Sequence, residues 1–254
     1  MATRTFESLV HKVNPSVQGC PFPMIVQHIR DAAIRTCERT LTWRYVEPVY
    51  SLTPGVHEYA YRKPLGSEVH AVFAAIVNDY PLEILTLDDA IDRQPKWADY
   101  FSGVDPASLW TGGGAFNLDG LNEVQFNNNG SFTLTEEALA EASDPRVFTQ
   151  VTPDRFVVLP LPGDDEPYRL RLFYALKPKQ DAESMPAAIM DDLSEAIIHS
   201  ALQELLVISN KPWTDRELAS YHAKQYAFKV TERRARANLG NARATMSVKM
   251  RPFA

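Results

Sequence analysis

The apolar positions along the chain change their period twice. From Pro23 onward, Ile25, Ile29, Ala32, Ala33 and Thr36 recur on one side of a 3.6-residue repeat, with Arg30, Glu38 and Arg39 outside it. A proline in the first turn suits a helix start, because the N–H it lacks is one that a helix leaves unpaired there. The spacing predicts a first helix over 23–40. The period then drops to two: Trp43, Tyr45 and Val49, then His57, Tyr59 and Tyr61 against Val56 and Ala60, then Val69, Ala71, Phe73, Ala75 and Val77. Period two places side chains on alternate faces of a strand. In EVQFNNNGSFTLT (123–135), Asn129-Gly130 between two alternating runs predicts a hairpin, since both residues tolerate the positive φ that such turns need. RVFTQVTPDRFVVLPLP and YRLRLFYAL predict three more short strands, and DDAIDRQPKWADY reads as a short helical turn and loop.

The helical period returns at Met185. Ser184 and Pro186 make a start, and Ile189, Leu193, Ile197, Ala201 and Leu205 form a stripe that SNKP ends. Thr214 with Glu217 has the spacing of a capping box for a third helix. That helix carries Leu218, Tyr221, Gln225 and Phe228 on one side and Lys229, Arg233 and Arg236 on another, and Leu239-Gly240 stops it. Helices from the two chain ends need one another to bury their stripes. The expected fold is therefore α+β: a three-helix core from the chain ends, with an inserted β-rich region and an extended C-terminal arm. The expected segments are 1–40, 41–180, 181–240 and 241–254.

Charge sharpens this picture at the C-terminus. From Lys224 onward there are 8 Lys/Arg against Glu232 alone, whereas residues 1–223 carry 18 bases and 31 acids. In ATMSVKMRPF, Met246, Val248 and Met250 alternate with Thr245, Ser247, Lys249 and Arg251, a strand pattern with one apolar and one basic face. A lone strand is not stable in water, so such an arm is either disordered or adds itself to the edge or cleft of another chain.

Candidate chemistry is sparse. No apolar run is long enough to cross a bilayer, and MATRTFESLVHKV lacks the apolar core of a signal peptide, so neither membrane insertion nor secretion is expected. Cys20 and Cys37 read as small buried hydrophobes in a reducing compartment. Six histidines show no metal-ligand spacing, and TGGGAF (111–116) lacks the lysine and spacing of a phosphate loop. Asp88, Asp89 and Asp92 offer carboxylates for acid/base work, yet their polar turn reads as a solvated face. No catalytic residue, metal site or cofactor is assigned.

Three segments together resemble a known family: IIHSALQELLVISNKPWTDRELASYHAKQYAFKVTERRARANLG, the first-helix run IRDAAIRTCERTLTWR, and PRVFTQVTPDRFVVLPLPGDDEPYRLRLFYALKP. They look like the head-to-tail adaptor, connector or head-completion proteins of tailed bacteriophages. The resemblance implies a noncatalytic protein of the virion neck, assembled in the bacterial host cytoplasm. It implies a ring, a homo-dodecamer, that joins the portal protein to the next tail component (a nozzle, stopper or tail tube protein) around a channel where DNA passes without sequence-specific binding. On that reading the arm grips the portal through Arg243, Met246, Val248, Lys249, Met250, Arg251 and Phe253, and the third helix meets neighbouring subunits through Leu218, Tyr221, Phe228, Arg233 and Arg236. The alternative is a virion-associated cell-wall hydrolase. A DNA-binding protein using Lys229, Arg233, Arg236 and Arg243 is a weaker third reading, because those cations lack interleaved aromatics.

Overall fold

The computed structural model describes residues 2–54, 56, 58–94, 125–126, 132–133, 144–163 and 167–239. The fold is α+β. It divides into two compact units, one formed by residues 1–43 with 176–254 and the other by residues 44–175. Elements are numbered in chain order.

In the first unit, β1 (Thr3–Thr5) pairs antiparallel with β13 (Ser184–Pro186), in the register Thr3↔Pro186 and Thr5↔Ser184. Ser184–Pro186, expected to open a helix, is thus extended: Pro186 sits at φ −54, ψ 130, and the helix starts after it. A short helix, α1 (Val10–Val13), leads to α2 (Phe22–Thr40), which buries Ile25, Ile29, Ala32, Ala33, Thr36 and Cys37 as the 3.6-residue repeat requires. The two buried threonines satisfy themselves locally, Thr36 Oγ1 donating to the Ala32 carbonyl at 2.6 Å and Thr40 Oγ1 to that of Thr36 at 2.7 Å.

Helix α4 (Ala187–Val207) packs on both α2 and α5 (Arg216–Leu239). Its buried residues, among them Met190, Leu193, Ala196, Ile197, Ser200, Leu202 and Leu205, therefore span more than the predicted stripe. The start of α5 also differs from expectation. Asp215 Oδ1, not the Thr214 hydroxyl, accepts the Leu218 N–H at 2.9 Å. Thr214 closes the preceding loop: its hydroxyl donates to the Ile208 carbonyl and accepts the Lys211 N–H. Thr214 is committed to that loop, so the residue after it takes the cap.

In the second unit, two antiparallel hairpin partners, β10 (Val147–Thr152) and β11 (Arg155–Leu159), are flanked by β4 (Glu58–Ala60) and by β7 (Glu83–Leu85), the latter parallel to β10. A second sheet has the order β2 (Arg44–Val46), β12 (Arg169–Pro178), β5 (Ser67–Val77), β6 (Tyr80–Pro81), and β3 (Tyr50–Ser51) also pairs with β12. Gln125–Phe126 (β8) and Phe132–Thr133 (β9) pair antiparallel where the hairpin was expected; Asn129-Gly130 lies outside the described residues. Tyr59 stacks on Phe156 at 5.7 Å between centroids, and Phe148 does so at 5.1 Å, giving this unit an aromatic core. Helix α3 (Leu87–Arg93) closes a smaller cluster, with Ala90 against Val147, Val157 and Leu159.

Candidate docking surfaces

Helix α5 presents two unlike sides. Toward α4 it buries Ala219, His222 and Tyr226. There the Nδ1 atoms of His199, on α4, and His222 lie 2.8 Å apart. Burial pushes both imidazoles below their ordinary range; the Glu195 carboxylate opposes this at His199, while each further positive neighbour adds to it. Lys229 Nζ meets Glu195 at 2.5 Å and Arg233 pairs with Asp192. The hydrogen bond and charge of Lys229 hold the Glu195 carboxyl below the usual carboxylate range. On the far side of α4, Arg35 of α2 meets Glu204 at 2.6 Å.

Away from α4 the helix is open. Tyr221 is 53% exposed and Phe228 65% exposed. Two turns apart on one helical line, with Lys224 between them, they form an aromatic stripe that nothing in the described chain covers. Leu218 is half-buried beside it. Of the helix's cations, Lys229, Arg233 and Arg236 are in ion pairs, the last with Glu232 at 3.1 Å. Among the described residues, Arg216, Lys224 and Arg234 have none. Arg233 is turned to α4, its side chain 19% exposed. Of the five α5 residues expected to face a neighbour, then, Tyr221, Phe228 and Arg236 are exposed, Leu218 is half-buried and Arg233 is held within the chain. Arg243, Met246, Val248, Lys249, Met250, Arg251 and Phe253 lie outside the described residues, as do the TGGG and NNNG loops.

The rest of the described chain assembles no reactive group. Among the described residues no three His, Cys, Asp or Glu converge to hold a metal ion, and no helix is long and apolar enough to cross a membrane. Thr86 caps α3, its hydroxyl accepting the Asp89 N–H at 3.2 Å and donating to the Asp89 carboxylate at 2.6 Å, while Asp88 and Asp92 are exposed. Cys37 is fully buried, which pushes its thiol up to about 12 and leaves it inert. An open cleft of about 1190 Å³ in the second unit is lined by Asp79, Glu83 and Asp144 together with Arg146, Arg169 and Arg171, a balance that favours neither sign of ligand. Sequence reasoning missed Glu47, buried in the second unit. Its Oε1 accepts the Arg62 N–H at 2.8 Å, and the Tyr174 hydroxyl is the neighbouring side-chain donor to the carboxyl. Burial pushes this carboxyl above the usual range, against the Arg62 amide, the Tyr174 hydroxyl and the Arg62 charge, which pull it down. Only the contact of Glu47 with a β-rich interior reveals it; along the sequence it is one charge among many.

An uncovered aromatic helix side is a feature of the class of proteins that bind other proteins. Comparison with family models gives that class a family: residues 4–251 match the model described as SU10 adaptor protein. The chain belongs to this family of phage adaptor proteins, structural components of the virion. Comparison with curated proteins gives no match.

Proposed function

We propose that this chain is a head-to-tail connector of the phage neck. Copies of it close into a ring, a homo-dodecamer, beneath the capsid. The ring joins the portal protein to the next tail component, a nozzle, stopper or tail tube protein, and leaves a channel for DNA during genome ejection. The observation that carries this reading is the match to the adaptor family over residues 4–251, which takes in both units and nearly all of the arm.

Three physical features support it. A closed ring needs a different face on each side of the subunit, and the uncovered side of α5, with Leu218, Tyr221, Phe228 and Arg236, supplies one. Arg233 stiffens the same helix against α4. The arm, with Arg243, Met246, Val248, Lys249, Met250, Arg251 and Phe253, supplies an apolar and a basic row for the portal. The net charge of −6 gives DNA little to hold on to, so it slides through without sequence-specific contacts.

Truncation after Gly240 tests the reading. The expected result is a chain that melts as the full protein does and no longer sediments with DNA-filled heads. A truncated chain that binds heads normally removes the arm from the portal.

A further inference from the structure

We infer that the outward side of α5 in one copy docks on the β6–β7–α3 segment, residues 79–92, of a second copy. The pairing rests on the ring proposed above and names the two faces that close it.

The two surfaces complement each other in charge and in apolar content. On α5, Lys224 stands between the Tyr221 and Phe228 rings, and Arg216 and Arg234 border them without an ion pair among the described residues. Residues 79–92 hold five acids and no base, of which Asp79 and Glu83 are paired within the chain with Arg171 and Arg93. Among them Tyr80 is 77% exposed and Ile84 is 40% exposed. Asp88 and Asp92, one helical turn apart on α3, are exposed and have no ion pair among the described residues. Both strands of the segment are sheet edges, β6 ending one sheet and β7 the other, so no further strand of the described chain covers them.

Charge is divided between the units in the same sense. Residues 44–175 contain 20 acids and 9 bases, while the remainder of the chain contains 12 acids and 17 bases. Copies meeting through like units would set like charges against each other, which opposes association; a helical unit meeting the β-rich unit of its neighbour does not. Such a contact is heterologous, with a different patch from each partner, as a ring requires. The two rings and Ile84 supply the apolar centre, and the lysine and carboxylates supply register at its rim.

The experiment mixes full-length protein with ¹⁵N-labelled full-length protein, assembles it, and applies a zero-length carbodiimide cross-linker. The expected products are mixed-isotope peptides joining Lys224 to Asp88 or Asp92. In parallel, Lys224→Asp with Arg234→Asp weakens assembly at least about tenfold, and adding Asp88→Lys with Asp92→Lys restores it. If an oligomer forms but Lys224 joins carboxylates elsewhere, or only within its own chain, the pairing is overturned and the ring stands. If no oligomer forms alone or on heads, the ring falls and the pairing with it.

Discussion

His199 and His222 face each other Nδ1 to Nδ1 at 2.8 Å across the seam between α4 and α5. At that distance one nitrogen donates and the other accepts, so the seam accommodates at most one proton between the two rings. Both imidazoles titrate below their ordinary range because burial disfavours the charged form. The sign follows: the unfolded chain binds these protons at a higher pH than the folded one, so the stability is present above about 6.5, the unfolded value, and is lost as pH falls below it. Thermal melts from pH 7.5 to 5 should show a steeper loss for the native chain than for His222→Gln. Parallel curves would remove the pair from the pH response.

Asp215→Ala should cost about 1 kcal/mol, the usual loss when a helix cap is removed. Asp215 Oδ1 accepts the Leu218 amide, one of those left free in the first turn of α5. Thr214→Ala should also destabilise, by freeing the Ile208 carbonyl and the Lys211 amide of the loop. Chemical denaturation of the two single variants and the double variant checks both. A neutral Asp215→Ala would place the helix start elsewhere.

Glu47→Gln should stabilise the β-rich unit above neutral pH. The buried carboxyl has a raised pKa, so its favourable contribution is complete below the unfolded value and is lost as pH rises through the folded one. A glutamine stays neutral and can still accept the Arg62 amide. Melting at pH 4 and pH 8 should therefore favour the variant only at pH 8, and equal gains at both would point to packing alone.

Phe228→Asp should leave the stability of the single chain within about 0.5 kcal/mol, since its ring is exposed and exchanging it removes no buried contact. Leu205→Ala, fully buried in α4, should cost about 2–5 kcal/mol. Denaturant unfolding at low protein concentration compares them. A large loss in Phe228→Asp would mean that the ring is covered within its own chain.

Periodicity alone determined where α2 lies, that residues 147–159 and 169–178 hold short strands, and that a helical pattern resumes after about 185, because burying one face imposes a 3.6 or a 2.0 repeat whatever the partner. The repeat cannot say which partner covers which face. On α5 the sequence shows Leu218, Tyr221 and Phe228 in one apolar row, yet α4 takes Ala219, His222 and Tyr226, and Tyr221 and Phe228 are left outward. Ser184–Pro186 became a strand because β1, from the other end of the chain, was there to pair with it. Asp215 displaced Thr214 as cap because a loop claimed the threonine. The His199–His222 seam and the buried Glu47 join residues that local pattern does not connect, and only the packed chain brings low dielectric and a partner to the same atom.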